Sequence, residues 1–295
     1  DDWVPWARDE RDAFWRGRRR IGRSAGGLGR RISVDGAPEC SKDRKGMISM
    51  IDLQTLTISY GKKVLVDSVN AEFAPGTVYG LVAPNGHGKT TLLRAMAGLP
   101  GPRVDGSIVL DEVQGTGARE VRSMIFYAPG EGTLLYPGLR AEDHLKMVCD
   151  MWPHARDIEE IVEQTQIGEF AKIRIRTLSQ GMKQQLTLAI AYATGARYLL
   201  LDEPMNALDP SRVDLHSEIL RKLADSGTCI IMSSHILDSV DRLCDEILFL
   251  KDGRLIRSIP QDDAAPKSPG SHFAKPAGRA EGALSTYRRL YEKGG

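Results

Sequence analysis

Two carboxylates at the end of an apolar run are the first residues with chemistry to offer. Tyr198-Leu199-Leu200-Leu201 leads into Asp202-Glu203 and is stopped by Pro204. A short continuous apolar run reads as a strand buried on both faces, and acidic groups at its C-terminal end stand where α/β sheets bind ligands. There Asp202 suits a Mg2+ ion held through water, and Glu203 suits a base that polarises an attacking water. A solvated surface pair is the bland alternative. It fits poorly with carboxylates that close a hydrophobic strand and meet a proline. A second apolar run, Cys229 to Ser233, is followed by His235. This spacing puts His235 at the same sheet edge as Glu203.

The cationic counterpart lies upstream. Val78 to Val82 reads as a short buried strand, glycines follow at 86 and 88, and Lys89-Thr90-Thr91 opens an apolar helix. Strand, glycine loop and helix in this order make a phosphate cradle. Glycines let the backbone N–H groups of Asn85, Gly86, His87 and Gly88 turn inward, and the helix N-terminus adds partial positive charge. Lys89 would reach the β- and γ-phosphates, and the Thr90 hydroxyl would help hold Mg2+. The usual pattern is Gly-x-x-x-x-Gly-Lys-Ser/Thr, and Ala83 stands at its first glycine. Pro84 pushes Ala83 toward extended backbone, where alanine fits without strain. A Gly-rich turn before a core helix is the alternative when this loop is taken alone.

These groups need elements to carry them. Ile51, Leu53, Leu56 and Ile58 predict short strands, Val64-Leu65-Val66 another, Ser107 to Leu110 another and Met124 to Tyr127 another. Tyr60, at a strand end, could stack on a purine base or simply pack. Between 130 and 178 the pattern turns helical, over Glu142 to Trp152 and Ile158 to Ile167, punctuated by Pro137 and Pro153. Leu178-Ser179-Gln180-Gly181 then opens a helix running through Leu186 to Thr194, with Ser179 placed as N-cap or anion ligand. A further helix is predicted over Val213 to Ala224, and Asp252-Gly253 marks a hairpin. The expected fold is α/β: a P-loop nucleotide-triphosphatase core with an antiparallel β subdomain and a helical insert.

The ends differ in composition. Residues 1–46 are rich in Arg and Gly and lack aliphatic periodicity. The readings are a basic arm for anionic lipid or nucleic acid, a disordered extension, or a stretch upstream of a natural start at Met47 or Met50. The sharp onset of the domain pattern at Ile51 favours the last two. Residues 259–295 read as a flexible linker, from Pro260 to about Gly282, and a short helix from Leu284 to Tyr291. That leaves 47–258 for the catalytic domain. The chain is 41% hydrophobic and 27% charged, with formal net charge +1. It therefore lacks the basic surplus that would point to nucleic acid, and no apolar run approaches the roughly 18–20 residues of a membrane span. Four cysteines without Cys-x-x-Cys spacing argue for reduced thiols rather than a metal site.

Over about residues 51–256 the order of these motifs resembles the ATP-binding cassette (ABC) ATPases. The phosphate loop and helical insert precede Leu178-Ser179-Gln180-Gly181-Met182-Lys183-Gln184, which looks like the signature of that family. The Walker B strand with Glu203, a D-loop at Ala207-Leu208-Asp209 and the switch His235 follow. The resemblance implies Tyr60 as the adenine-stacking residue, ATP and Mg2+ as cofactors, and two cassettes closing head to tail around two ATP molecules. Ser179 and the Gly181 backbone would then hold the γ-phosphate across the dimer, while Glu203 orients water and His235 contacts the γ-phosphate. It further implies membrane-spanning permease subunits as partners and a peripheral place on the cytoplasmic face of the cell membrane. Two departures stand out. The loop after Tyr127-Ala128-Pro129 has Gly130 and Glu131 but no Gln, leaving Glu131 as a substitute Mg2+ ligand by a one-residue shift. His87 is bulkier than the small residue usual between the loop glycines. The signature and the Tyr127 to Pro137 run look like exporters of drugs, antibiotics or peptides, acting as a homodimer. The alternatives are an importer cassette, or a non-transport ABC ATPase acting on ribosomes or DNA. A degenerate cassette that binds ATP without turnover is opposed by the presence of Glu203 and His235.

Overall fold

The computed structural model describes residues 50–111, 113–114, 123–130, 133–258 and 282–292. The expected extension at 1–46, Glu131, and all but the last residue of the expected linker lie outside these. The described C-terminal residues, 282–292, pack on the rest of the described fold, with the Ala283 N–H donating to Asp241 and the Tyr291 hydroxyl to Leu250.

Strands β3 (Val78–Val82), β7 (Tyr198–Leu201) and β8 (Cys229–Ser234) are buried along their whole length. Each is a run of apolar and small residues, as a strand covered on both faces requires. With β6 (Ile125–Ala128), β9 (Glu246–Lys251) and β10 (Arg254–Ser258) they form a six-stranded sheet in the order β10-β9-β3-β8-β7-β6. All neighbours are parallel except the β9–β10 hairpin. Asp252 and Gly253 both take positive φ, at 48° and 77°, as a two-residue hairpin turn of this hand demands.

Alternate residues of each strand serve different cores. Val78, Val82, Leu199, Leu201, Ile230 and Met232 pack against the helices on one face. Tyr79, Leu81, Tyr198, Leu200 and Ile231 pack on the other face against an antiparallel sheet and helix α1 (Lys89–Met96). That second sheet has the order β2-β1-β4-β5, built from β1 (Ile51–Tyr60), β2 (Lys63–Phe73), β4 (Arg103–Leu110) and β5 (Val113–Gln114). The short strands expected around Ile51 and Ile58 are one strand. Register shifts between Leu53 and Leu56, and a positive φ of 46° at Thr55, carry it through the polar Gln54-Thr55 step.

The insert contains α2 (Ala141–Cys149), α3 (Ile158–Thr165) and single 3-10 turns at Ile167–Glu169 and Ile175–Thr177. It leads into α4 (Gln180–Ala193), which begins six residues before the apolar run at Leu186. Its N-cap is Ser179, whose hydroxyl accepts from the Met182 N–H at 3.2 Å. Likewise α5 (Pro210–Asp225) starts earlier than Val213, because Asp209 caps it, accepting from the Arg212 N–H at 3.0 Å, with Pro210 at the first helical position. Helix α6 (Leu237–Leu243) follows β8, and α7 (Ala283–Tyr287) continues as a wider π-type turn over Arg288–Glu292. Among the described residues no helix is long and apolar enough to cross a membrane.

Candidate functional site

The phosphate loop leaves β3 at Val82 and enters α1 at Lys89. Gly88 takes φ 101°, a conformation closed to side-chain-bearing residues without strain. A Cβ there would also lie 3.2 Å from Leu65 Cβ, so the loop rests tightly on β2. Asn85, Gly86, His87 and Thr90 are exposed, while Lys89 is only 6% exposed. Burying a lysine is costly unless its ammonium is paired. The Lys89 amine donates to the Ala83 carbonyl at 2.8 Å and lies 3.6 Å from Glu203 Oε1. Position 83 thus contributes a backbone oxygen, which alanine supplies as well as glycine.

The carboxylates follow β7 directly. Adjacent β7 and β8 are in register, Leu201 opposite Met232, so the residues just beyond each meet. His235 Nδ1 lies 2.8 Å from Glu203 Oε2, and the His235 N–H donates to the same oxygen at 3.3 Å. Glu203 has φ 49°, an uncommon left-handed conformation for a residue with a side chain. Strain of this kind persists only where the surroundings enforce it. Here Ser233, wholly buried on β8, does so. Its hydroxyl accepts from the Glu203 N–H at 2.9 Å and donates to Asp202 Oδ1 at 2.6 Å. The other Asp202 oxygen accepts from the Tyr127 hydroxyl at 3.3 Å. Burial first, then the Asp202 charge, pushes the Tyr127 phenol well above its ordinary range, so it remains a donor.

Loop 204–207 joins this edge to the signature helix. Gln184 donates to the Pro204 carbonyl at 2.9 Å, and a Cβ at Gly181 would lie 2.7 Å from the Ala207 carbonyl, so only glycine fits. Ala207 itself has φ 62°. Gly130 approaches the same turn, where a Cβ would lie 3.2 Å from the Asp202 carbonyl. Tyr60, the last residue of β1, is 56% exposed.

Sequence reasoning thus names residues that the fold brings together: Lys89, Asp202, Glu203 and His235 share one edge of the sheet. Ser179 and Gly181 lie at the start of α4, which packs against β6 and meets the 204–207 loop that follows Glu203. Ser233 and the Tyr127 hydroxyl were missed as site residues. The Ser233-Ser234 pair, polar at the end of an apolar strand, was the available signal for the first.

A parallel sheet with a lysine-bearing glycine loop after one strand, and a carboxylate pair after another, defines a P-loop nucleotide triphosphatase. Comparison narrows the class. Residues 66–206 match the family model described as ABC transporter. A lantibiotic transport ATP-binding protein of Streptococcus pyogenes is 35% identical over 210 residues, spanning 70% of this chain and 89% of that one. A Nod factor export ATP-binding protein of Sinorhizobium fredii is 35% identical over 210 residues, spanning 70% of this chain and 61% of that one. A dimeric ATP-binding cassette solved in a post-hydrolysis state with ADP and Pi superposes with TM-score 0.62. That match is 23% identical and spans 70% of this chain and 96% of that one. The chain belongs to the ABC transporter family, as one of its ATP-binding, ATP-hydrolysing subunits.

Proposed function

We propose that this chain powers export of an antibiotic, a peptide or a similar small molecule through separate membrane-spanning subunits, from the cytoplasmic face of the membrane. The observation that carries the ATPase part is the single sheet edge holding Lys89, Asp202, Glu203 and His235. Export rests on likeness to relatives named for lantibiotic transport and Nod factor export.

The loop N–H groups of Asn85 to Gly88 and the α1 N-terminus bind the phosphates, with Thr91 in the first turn, and Lys89 neutralises them. Tyr60 stacks on the adenine. The donor set fits Mg2+. Among the described residues no cluster of three or more His, Cys, Asp or Glu stands ready to hold a metal, and Mg2+ on a nucleotide needs only one or two protein groups besides phosphate oxygens and water. Thr90 and Asp202 are those groups, with Glu131 a further candidate ligand; the ion would neutralise charge on the phosphates. Glu203 accepts the proton of the attacking water. His235 holds the Glu203 carboxylate in place through Nδ1 and presents its other nitrogen to the γ-phosphate.

Ser179 and Gly181 serve a second cassette. In this chain the start of α4 packs on the 204–207 loop beyond β7, and β7 is two strands from β3 in the sheet order. In this arrangement of two cassettes, a γ-phosphate on Lys89 is contacted by the signature of the partner copy.

Glu203→Gln tests the reading. The variant should bind MgATP, turn over at least ~100-fold more slowly, and shift from monomer to dimer in light scattering with ATP but not ADP. Normal turnover would remove Glu203 from the chemistry. In cells, deletion should increase sensitivity to antimicrobial compounds. A defect confined to nutrient uptake would favour import.

A further inference from the structure

The His87 side chain and the C-terminal segment have no part in the mechanism above, where His87 acts only through its backbone N–H, yet the fold joins them. Three anchors hold the segment. The Ala283 N–H donates to both Asp241 carboxylate oxygens, at 3.0 and 2.9 Å, on α6, just beyond the switch residue His235. Lys251, closing β9, donates to the Leu290 carbonyl. The Tyr291 hydroxyl donates to the Leu250 carbonyl at 2.8 Å. Burial pushes the Tyr291 phenol well above its ordinary range, with Tyr287 and Asp252 adding to the shift, so the hydroxyl keeps its proton. Within the segment, Ala283 and Thr286 are buried.

These anchors aim one ring at the phosphate loop. Tyr291 meets His87 edge to face, with centroids 6.0 Å apart and planes at 78°. Tyr287 backs Tyr291 from 4.8 Å. On its own side, His87 Nδ1 lies 3.2 Å from the Asn85 carbonyl, and the His87 N–H reaches the Pro84 carbonyl only at 3.4 Å. The loop apex therefore has weak internal bracing and a firm external ring. Leu250, which holds the Tyr291 hydroxyl, also lies 3.6 Å from where a Gly88 Cβ would be, so loop floor and brace share one support.

We propose that Tyr291 is a positioning residue for the phosphate loop, holding His87 so that the loop N–H groups are ordered before nucleotide arrives. The proposal rests on the ATP-binding assignment. It predicts an effect on affinity rather than on the chemical step, because Tyr291 touches the loop and not the Glu203 edge. Pre-ordering a loop lowers the entropy cost of binding. Replacing the ring by Tyr291→Ala should weaken MgATP and MgADP binding by roughly 3- to 10-fold, the range of one aromatic pair. The loss should fall on KM, with kcat at saturating MgATP changing less.

The test is calorimetric binding and steady-state turnover of the full chain, at a temperature where circular dichroism shows every variant folded. Tyr291→Phe, which keeps the ring, should restore most of the affinity. His87→Ala should weaken binding as much as Tyr291→Ala, and the double variant should be no weaker than either. If Tyr291→Ala lowers thermal stability too far, Tyr291→Leu replaces it with the same expectation. Unchanged affinity, losses that multiply in the double variant, or a fall in kcat at constant KM would each overturn the proposal.

Discussion

Ser233→Ala is the sharpest probe of the site, because one oxygen there holds two functional residues. The hydroxyl donates to a carboxylate at 2.6 Å, a short charge-assisted bond, and accepts from the Glu203 N–H at 2.9 Å. Losing a bond to a charged group costs ~1.5–3 kcal/mol, and leaving a buried donor unpaired costs ~1–3 kcal/mol. Water entering the space left by the hydroxyl recovers part of this, so a net loss of about 2–4 kcal/mol is expected. For a domain of this size that is a fall in melting temperature on the order of 5–15 °C. The catalytic effect is separate. Freed from Ser233, the strained Glu203 backbone relaxes and moves its carboxylate. A displacement near 1 Å of a catalytic group costs on the order of 100-fold. Turnover at saturating MgATP should fall ~10- to 100-fold, while nucleotide affinity, set on the β3–α1 loop, should hold. Thermal unfolding, calorimetric binding and steady-state ATPase assays read the three quantities. Wild-type turnover with wild-type stability would refute the argument that Ser233 sets the Glu203 geometry.

Gly181→Ala places a methyl 2.7 Å from the Ala207 carbonyl, so α4 and the 204–207 loop must separate. The expected cost is ~1–3 kcal/mol in chemical denaturation, with ATP-driven dimerisation lost in light scattering. His144 and His216 are both held down to about 4, His144 by burial and His216 by burial with help from Arg212. Folded, they stay neutral, whereas unfolded they protonate near 6.5. Stability is therefore fully present above pH 6.5 and lost as pH falls toward 4, by on the order of 3 kcal/mol per histidine at pH 4. Denaturant titrations from pH 7 to 4 should show this slope, and His144→Leu should flatten it by about half. If sites are composite, Lys89→Ala and Ser179→Arg chains should each be inactive in the presence of the membrane partner. Mixing them assembles one site with both lesions and one with neither, so ATPase activity should return. No recovery, or normal activity of Ser179→Arg alone, would argue for sites within one chain.

Much of this protein is local, and the sequence carries what is local. Val78–Val82 and Tyr198–Leu201 announce buried strands because a strand covered on both faces has no polar position. Ser179 is legible as a cap because unpaired first-turn N–H groups need acceptors nearby in the chain, whereas apolar spacing places the start of α5 at Val213 and the Asp209 cap moves it to Pro210. The Lys89 loop is legible because its glycines, lysine and threonine act within a dozen residues of one another. Two elements are blurred: β1, where a bulge lets polar residues pass through a continuous strand, and the start of α4, whose first six residues hold one apolar side chain, Met182. What the chain order could not supply is adjacency. Whether His235 meets Glu203 depends on β7 and β8 being neighbours at a register that aligns their ends. Ser233 looks like any small strand residue until β8 lies beside the Asp202 turn. Tyr127 looks like packing until its hydroxyl reaches a carboxylate 75 residues away. Tyr291 reaches the Pro84–Gly88 loop only because α6 and β9 anchor it there. Such contacts depend on the order in which the strands assemble, and side-chain periodicity records which face a residue is on, not which strand stands next to it.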